Sequence, residues 1–159
     1  MAELKNIEQA KEAFATLCQA LDNKGWRYKK DEEKLTLESG FRGDDLAIEL
    51  TVKVDADRMV VLLVSHLPFV VQEDRRLDMA VAISAINNHL VDGCFDYNLV
   101  NGHIFFRMTN SILESKLSED VFTYLLLCSC KTIDDFNEKL MMLARGMVTL
   151  EQFLSNILK

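Results

Sequence analysis

Residues 94–109 read CFDYNLVNGHIFFRMT, two β-prone runs joined by Asn101-Gly102. Asn-Gly is the strongest short hairpin signal, because a type I′ turn needs positive φ at both central residues. A two-residue turn predicts the pairs Val100–His103, Leu99–Ile104, Tyr97–Phe106 and Phe95–Met108. One face then carries Phe95, Tyr97, Leu99, Ile104, Phe106 and Met108. The other sets Asp96 opposite Arg107 and Asn98 opposite Phe105. A ribbon with one apolar and one polar face is expected to lay the apolar face on a core.

Helical periodicity flanks this hairpin on both sides. Before it, residues 74–91 place Leu77, Val81, Ile83, Ile86 and Leu90 at helical spacing, with small Ala80, Ala82, Ser84 and Ala85 among them. After it, Ser118 is a candidate N-cap, with Glu119 and Asp120 suited to the positive helix end. The helix it opens carries Phe122, Leu125, Leu126, Ile133, Phe136, Leu140 and Leu143 up to Gly146. A break is expected near residues 129–132, where Thr132 and Asp135 resemble a second capping box. Thr149 and Gln152 form another, opening a short last helix with Leu150, Phe153, Leu154 and Ile157.

Upstream, a first helix is predicted over 3–24. It carries Leu4, Ile7, Phe14, Leu17, Cys18 and Leu21, and Gly25 suits its C-terminal stop. Strands follow. Residues 26–30 and 34–38 are expected to pair, Tyr28 against Leu35 and Trp26 against Leu37. A loop through Ser39-Gly40 and Gly43-Asp44-Asp45 leads to Leu46, Ile48, Leu50, Val52 and Val54, which alternate as a half-buried strand does. Residues 55–58 turn the chain into 59–67, and Pro68 ends that strand. The order is α-ββββ-α-ββ-α-α, an α+β fold with an antiparallel sheet of hairpins. With 159 residues, no repeat and no linker, a single domain over 1–159 is expected.

Composition narrows the function classes. Eighteen Lys and Arg against 25 Asp and Glu give a net charge of −7, unlike the basic face of a nucleic-acid binder. No apolar run approaches the roughly 20 residues that span a bilayer. The charged opening Met1-Ala2-Glu3-Leu4-Lys5 does not read as a signal peptide. A cytoplasmic protein with reduced thiols is expected.

No catalytic, cofactor or metal set emerges. Cys128 and Cys130 stand about 200° apart on a helix and suit small buried thiols, with redox sensing or a metal as the alternative. His66, His89 and His103 fall on a strand, a helix end and a turn, with no nucleophile signature beside them. Asp44, Asp45, Asp55 and Asp57 lack the calcium-loop pattern and read as solvated turns. Gly40 and Gly43 do not make a phosphate loop. An RNA-reading sheet needs several aromatics on its open face, and only Phe105 is expected there.

One feature asks for a protein partner. Every residue in 59–64 is apolar. Met59, Val61 and Leu63 face the core with Val54, Val52 and Leu50. Val60, Leu62 and Val64 then point the other way, against Lys53, Thr51 and Glu49. A strand that is apolar on both sides is usually covered on both. The cover is either one of the last helices or a partner. In the second case Val60, Leu62, Val64 and Phe105 are the contact candidates.

The stretches Ile86-Asn87-Asn88-His89-Leu90, Gly93-Cys94-Phe95-Asp96-Tyr97 and Asn101-Gly102-His103-Ile104-Phe105-Phe106-Arg107 resemble the YbjN family of bacterial sensory transduction regulators. Leu117-Ser118-Glu119, a long helix and Gly146 fit the same layout. The resemblance implies a fold similar to type III secretion chaperones, an α-β-β-β-α-β-β-α unit that commonly dimerises. This chain adds a strand early on and a terminal helix. The helix over 74–91 corresponds to the one that often pairs across the chaperone dimer. The resemblance implies no enzyme and no cofactor. The expected function is a homodimeric protein-binding or regulatory module. The alternatives are a secretion chaperone for one effector, and a small-ligand sensor or enzyme with an unrecognised site. No membrane partner is expected.

Overall fold

In a computed structural model, residues 3–44 and 46–157 are described; Asp45 and the leading Met1-Ala2 lie outside them. The described residues form four α-helices and six strands: α1 (Leu4–Asn23), β1 (Tyr28–Asp31), β2 (Thr36–Arg42), β3 (Ala47–Asp55), β4 (Val60–Val70), α2 (Arg76–His89), β5 (Cys94–Tyr97), β6 (His103–Ser111), α3 (Glu119–Ala144) and α4 (Leu150–Ile157). The strands make one antiparallel sheet in the order β1-β2-β3-β4-β6-β5. The order of elements and the α+β class match the sequence reading. Among the described residues no helix is long and apolar enough to cross a membrane.

The alternation along each strand decides the layering. Leu37, Ile48, Leu50, Val52, Val54, Val61, Leu63, Ile104, Phe106 and Met108 are buried on one face. Helices cover that face. The ring of Phe136 on α3 stands edge-on to Phe95, 6.0 Å between centroids, and Phe95 meets Phe106 at 5.2 Å. Phe14, Leu17 and Leu21 of α1 and Phe122, Leu126 and Ile133 of α3 complete the core.

The faces are as expected except at Leu99, which lies in the hairpin loop and is 47% exposed, but the register is not. Phe95 pairs with Phe106 instead of Met108 and Tyr97 with Ile104 instead of Phe106, so Cys94, not Asp96, lies opposite Arg107. Tyr28 pairs with Ser39 instead of Leu35, and the loop expected at Ser39-Gly40 is part of β2. Lys53 pairs with Leu62 and Thr51 with Val64, two residues along from the expected match with β3.

One local cause explains all three shifts. Each hairpin closes on four loop residues, 32–35, 56–59 and 99–102. The residue before each loop caps it. Asp31 Oδ1 accepts from the amides of Glu33 and Lys34, and Asp55 Oδ1 from those of Asp57 and Arg58. Asn98 Oδ1 accepts in the same way from Val100 and Asn101. Short Asp and Asn side chains compete for nearby amides and so nucleate such turns. The last loop residue is left-handed: Leu35 at φ 51°, Met59 at 53° and Gly102 at 75°. Its carbonyl then accepts from a neighbouring segment, Leu35 from Val54 N, Met59 from Ile112 N and Gly102 from Val71 N. At Gly102 a Cβ would lie 2.5 Å from the Val71 carbonyl oxygen, so only glycine fits.

The helices hold two further corrections. α3 is continuous through residues 129–132. Ser129 Oγ is satisfied on the Leu125 carbonyl one turn back, without interrupting the helix, and Lys131 pairs with Asp135 at 3.0 Å, an i,i+4 pair that supports the helix. α2 starts after a 3-10 turn over Glu73–Arg75 and is rotated from the expected face. Met79, Ala82, Ile83 and Ile86 are its buried residues, whereas Leu77 is 74% exposed and Val81 49%. Two caps are as expected: Ser118 Oγ accepts from Val121 N, and Thr149 and Gln152 bond reciprocally.

Candidate protein-binding surface

The sheet face away from the helices presents alternate residues of β4 and its neighbours. Val60 lies between Asp55 and Ser111, Leu62 between Lys53 and Thr109, and Val64 between Thr51 and Arg107. Phe105 lies between His66 and Asp96, its ring 5.4 Å from that of His66. Val60, Leu62, Val64 and Phe105 are all half-buried, and none packs against the core. The alternative in which α3 or α4 covers them is therefore not met, because both helices serve the opposite face.

The rim is polar and partly locked. Arg107 Nε donates to Asp96 Oδ2 at 2.5 Å, and its Nη2 donates to Asp96 Oδ1 at 3.2 Å. That carboxylate, above all other influences, holds the guanidinium above its ordinary pKa. A fork of this kind fixes the two side chains relative to each other. Arg107 Nη2 also lies 3.5 Å from Cys94 Sγ. Burial, followed by the Asp96 charge, raises the Cys94 thiol above its usual value, so it stays protonated at neutral pH. On the other flank Lys53 pairs with Asp55 at 3.4 Å. Fully covering an exposed apolar side chain contributes about 1.5–3 kcal/mol, and these half-buried ones retain only part of that gain. Four such side chains inside a fixed polar rim suit a partner segment better than a reaction.

A second uncovered surface escaped the sequence reading. Leu77 and Val81 of α2 are one helical turn apart and outward-facing, where the pattern assigned them to the core. Their apolar character was visible; only the packing of α2 on α4 and β5 decides which stripe is hidden.

The residues weighed for chemistry are dispersed. Cys130 is buried in α3, and burial pushes its thiol up to about 12, while Cys128 is half-buried on the same helix. His66 is on β4, His89 ends α2 and His103 begins β6. Asp55 caps the β3–β4 turn, and Asp44 lies near α3, its amide donating to Asp134. Among the described residues no three His, Cys, Asp or Glu converge as metal ligands do. One hollow of about 790 Å³ is an open groove between α1 and the β1–β2 hairpin. There Tyr28 Oη donates to Asp22 Oδ1 at 3.0 Å. Burial, then that hydrogen bond, raises the Tyr28 hydroxyl.

Comparison with known proteins agrees with the fold. The E. coli YbjN crystal structure, described as "a putative transcription regulator", superposes with a TM-score of 0.59 at 16% identity, covering 84% of this chain and 92% of that one. The ExsC–ExsE complex gives a TM-score of 0.57, also at 16% identity, over 79% of this chain and 90% of the other. No curated protein matches the sequence. The YbjN family, described as "Putative bacterial sensory transduction regulator", matches residues 13–154. This chain, with its hairpin sheet and helices on one side, belongs to the YbjN family.

Proposed function

We propose that this chain is a single-unit, cytoplasmic regulatory module that works by holding a protein partner, without catalysis and as a homodimer. The observation that carries the reading is the uncovered apolar strip Val60, Leu62, Val64 and Phe105 on the outer sheet face. The strip is the contact surface for the partner, and its charged rim sets orientation. The outward Leu77 and Val81 of α2 support pairing of two copies along that helix. An isologous helix pair leaves both outer sheet faces open.

The test separates the two surfaces. Leu62→Asp is half-exposed and is expected to keep the fold by circular dichroism, remain dimeric by light scattering, and lose the partner. Leu77→Asp with Val81→Asp is expected to give a folded monomer. A Leu62→Asp protein that unfolds would place Leu62 in the core and end the proposal.

The fold neighbour ExsC, seen in complex with ExsE, favours a second reading, a dedicated chaperone for one secreted protein. Stoichiometric co-purification of a secreted client that dissociates from Leu62→Asp distinguishes it from a regulator with an intracellular target.

A further inference from the structure

β3 keeps β2 as its neighbour over residues 47–53, but it pairs with β4 only over residues 51–55. The same register carried on would set Leu50 against Ser65, Glu49 against His66, Ile48 against Leu67 and Ala47 against Pro68. None of these pairs forms among the described residues. β4 follows β6 instead, through His66, and shifts register before Val70. Pro68 has no amide to offer β3. The sheet is therefore parted between the first half of β3 and the second half of β4, and backbone groups that a ladder would pair face the gap.

Behind the gap stands α3. Ile48, Ser65, Leu67 and Pro68 line a seam backed by Ile133 and Asn137. Ser65 is 1% exposed and Asn137 is fully buried. Ser65 Oγ and Asn137 Nδ2 nonetheless have no hydrogen-bond partner. The other two buried polar side chains among the described residues are satisfied. Ser39 Oγ donates to the Arg27 carbonyl at 2.9 Å, and Ser129 Oγ to the Leu125 carbonyl at 2.7 Å. Both unmatched groups thus stand in one seam, although buried polar groups as a rule find a partner in protein or ordered water.

The chemistry of the seam names that partner. Asn137 Oδ1 already accepts from Glu138 N, so Asn137 offers its amide hydrogens. The Ser65 hydroxyl can give or take. The walls carry no Lys, Arg, Asp or Glu, so a charged group would be buried without compensation. A neutral oxygen meets both side chains. As they stand, the walls lie closer together than the width of a water molecule. No ladder bond joins residues 47–50 to 65–68, so a slight parting of these strand ends admits a small molecule without breaking the sheet. Anything larger than water would have to lift α3 from the strands as well.

We infer that the β3–β4 seam is an internal hydration site, which widens to take a water molecule between Asn137 and Ser65. Its oxygen accepts from Asn137 Nδ2, and it shares a second hydrogen bond with Ser65 Oγ. The unladdered backbone beside it offers a third, the usual complement of a buried water. The seam lies on the helix side of the sheet, apart from the outer strip around Leu62.

The test is water-selective nuclear Overhauser spectroscopy on the full, isotope-labelled chain, together with urea unfolding. The Asn137 side-chain amide is expected to show a cross-peak to water with the sign of a long-lived contact. Ser65→Ala is expected to weaken that cross-peak and to raise the unfolding constant about tenfold, because it strips the water of an anchor and leaves Asn137 poorly matched. Asn137→Leu is expected to destabilise as well, and the double variant to cost no more than the costlier single one, since one water serves both. Three results overturn the inference. One is no cross-peak in the parent, which with a destabilised Ser65→Ala would assign a direct bond between the two side chains. Another is a Ser65→Ala protein as stable as the parent or more so, the behaviour of an unmatched hydroxyl removed. The third is costs that simply add. If Asn137→Leu does not fold, the cross-peak and Ser65→Ala still decide.

Discussion

Asp31, Asp55 and Asn98 each control far more chain than their size suggests. A side-chain oxygen placed before the loop gathers two amides and fixes where the returning strand begins. For the two aspartates, the backbone amides of Lys34 and Arg58 are the leading reason why the carboxyls sit below the ordinary value. The sign follows from linkage. A carboxyl with a lowered folded pKa adds stability above its unfolded pKa, and that share is lost as pH falls through the folded one. Urea midpoints are therefore expected to drop from about pH 4 downward, close to the ordinary carboxylate range. Asp55→Asn keeps the acceptor and removes the charge, so it should flatten part of that acid slope. An unchanged slope would assign the acid sensitivity to other groups.

At the scale of elements, Asn87 lets a helix finish a sheet. Its amide supplies the donor and the acceptor that a seventh strand would otherwise bring to Phe95. Asn87→Asp removes the donor and sets a carboxylate oxygen against a carbonyl. The expected cost is about 1–3 kcal/mol in chemical unfolding, the usual penalty for a buried group left unmatched. Size-exclusion chromatography should then show self-association through the opened edge; a protein that stays as stable and as disperse as the parent would remove Asn87 from this role. The same element shows what sequence can and cannot convey. Alternation in Leu50–Val54 and Val60–Val64 was legible, because neighbouring side chains in a strand point to opposite faces. Register was not. Leu35 and Met59 hold left-handed positions that their side chains do not advertise, and Asn98 captures the amides that Asn101-Gly102 alone would have turned more tightly. Every slip is even, so the side chains that stayed in strands kept their faces, while Leu99 passed into the loop. A capping-box pattern at Thr132 and Asp135 sits in mid-helix, where Lys131 takes the carboxylate instead.

For the whole molecule, the division of labour between the two sides of the sheet was half visible. The outer strip followed from an all-apolar run in which only every second residue fits the core. The β3–β4 seam and the outward stripe of α2 did not, since both depend on which elements end up adjacent, a property of topology and not of pattern. The three turns also tie the hairpins together. Each left-handed residue gives its carbonyl to an amide of another segment: Val54, Ile112 and Val71. Loosening one turn thus releases a proton donor that belongs to a different ribbon. Deuterium uptake at these three amides is expected to follow one common slow rate, the signature of concerted opening. Asp55→Ala, which slackens one loop, should quicken all three together; faster uptake at Ile112 alone would mean that the ribbons breathe separately.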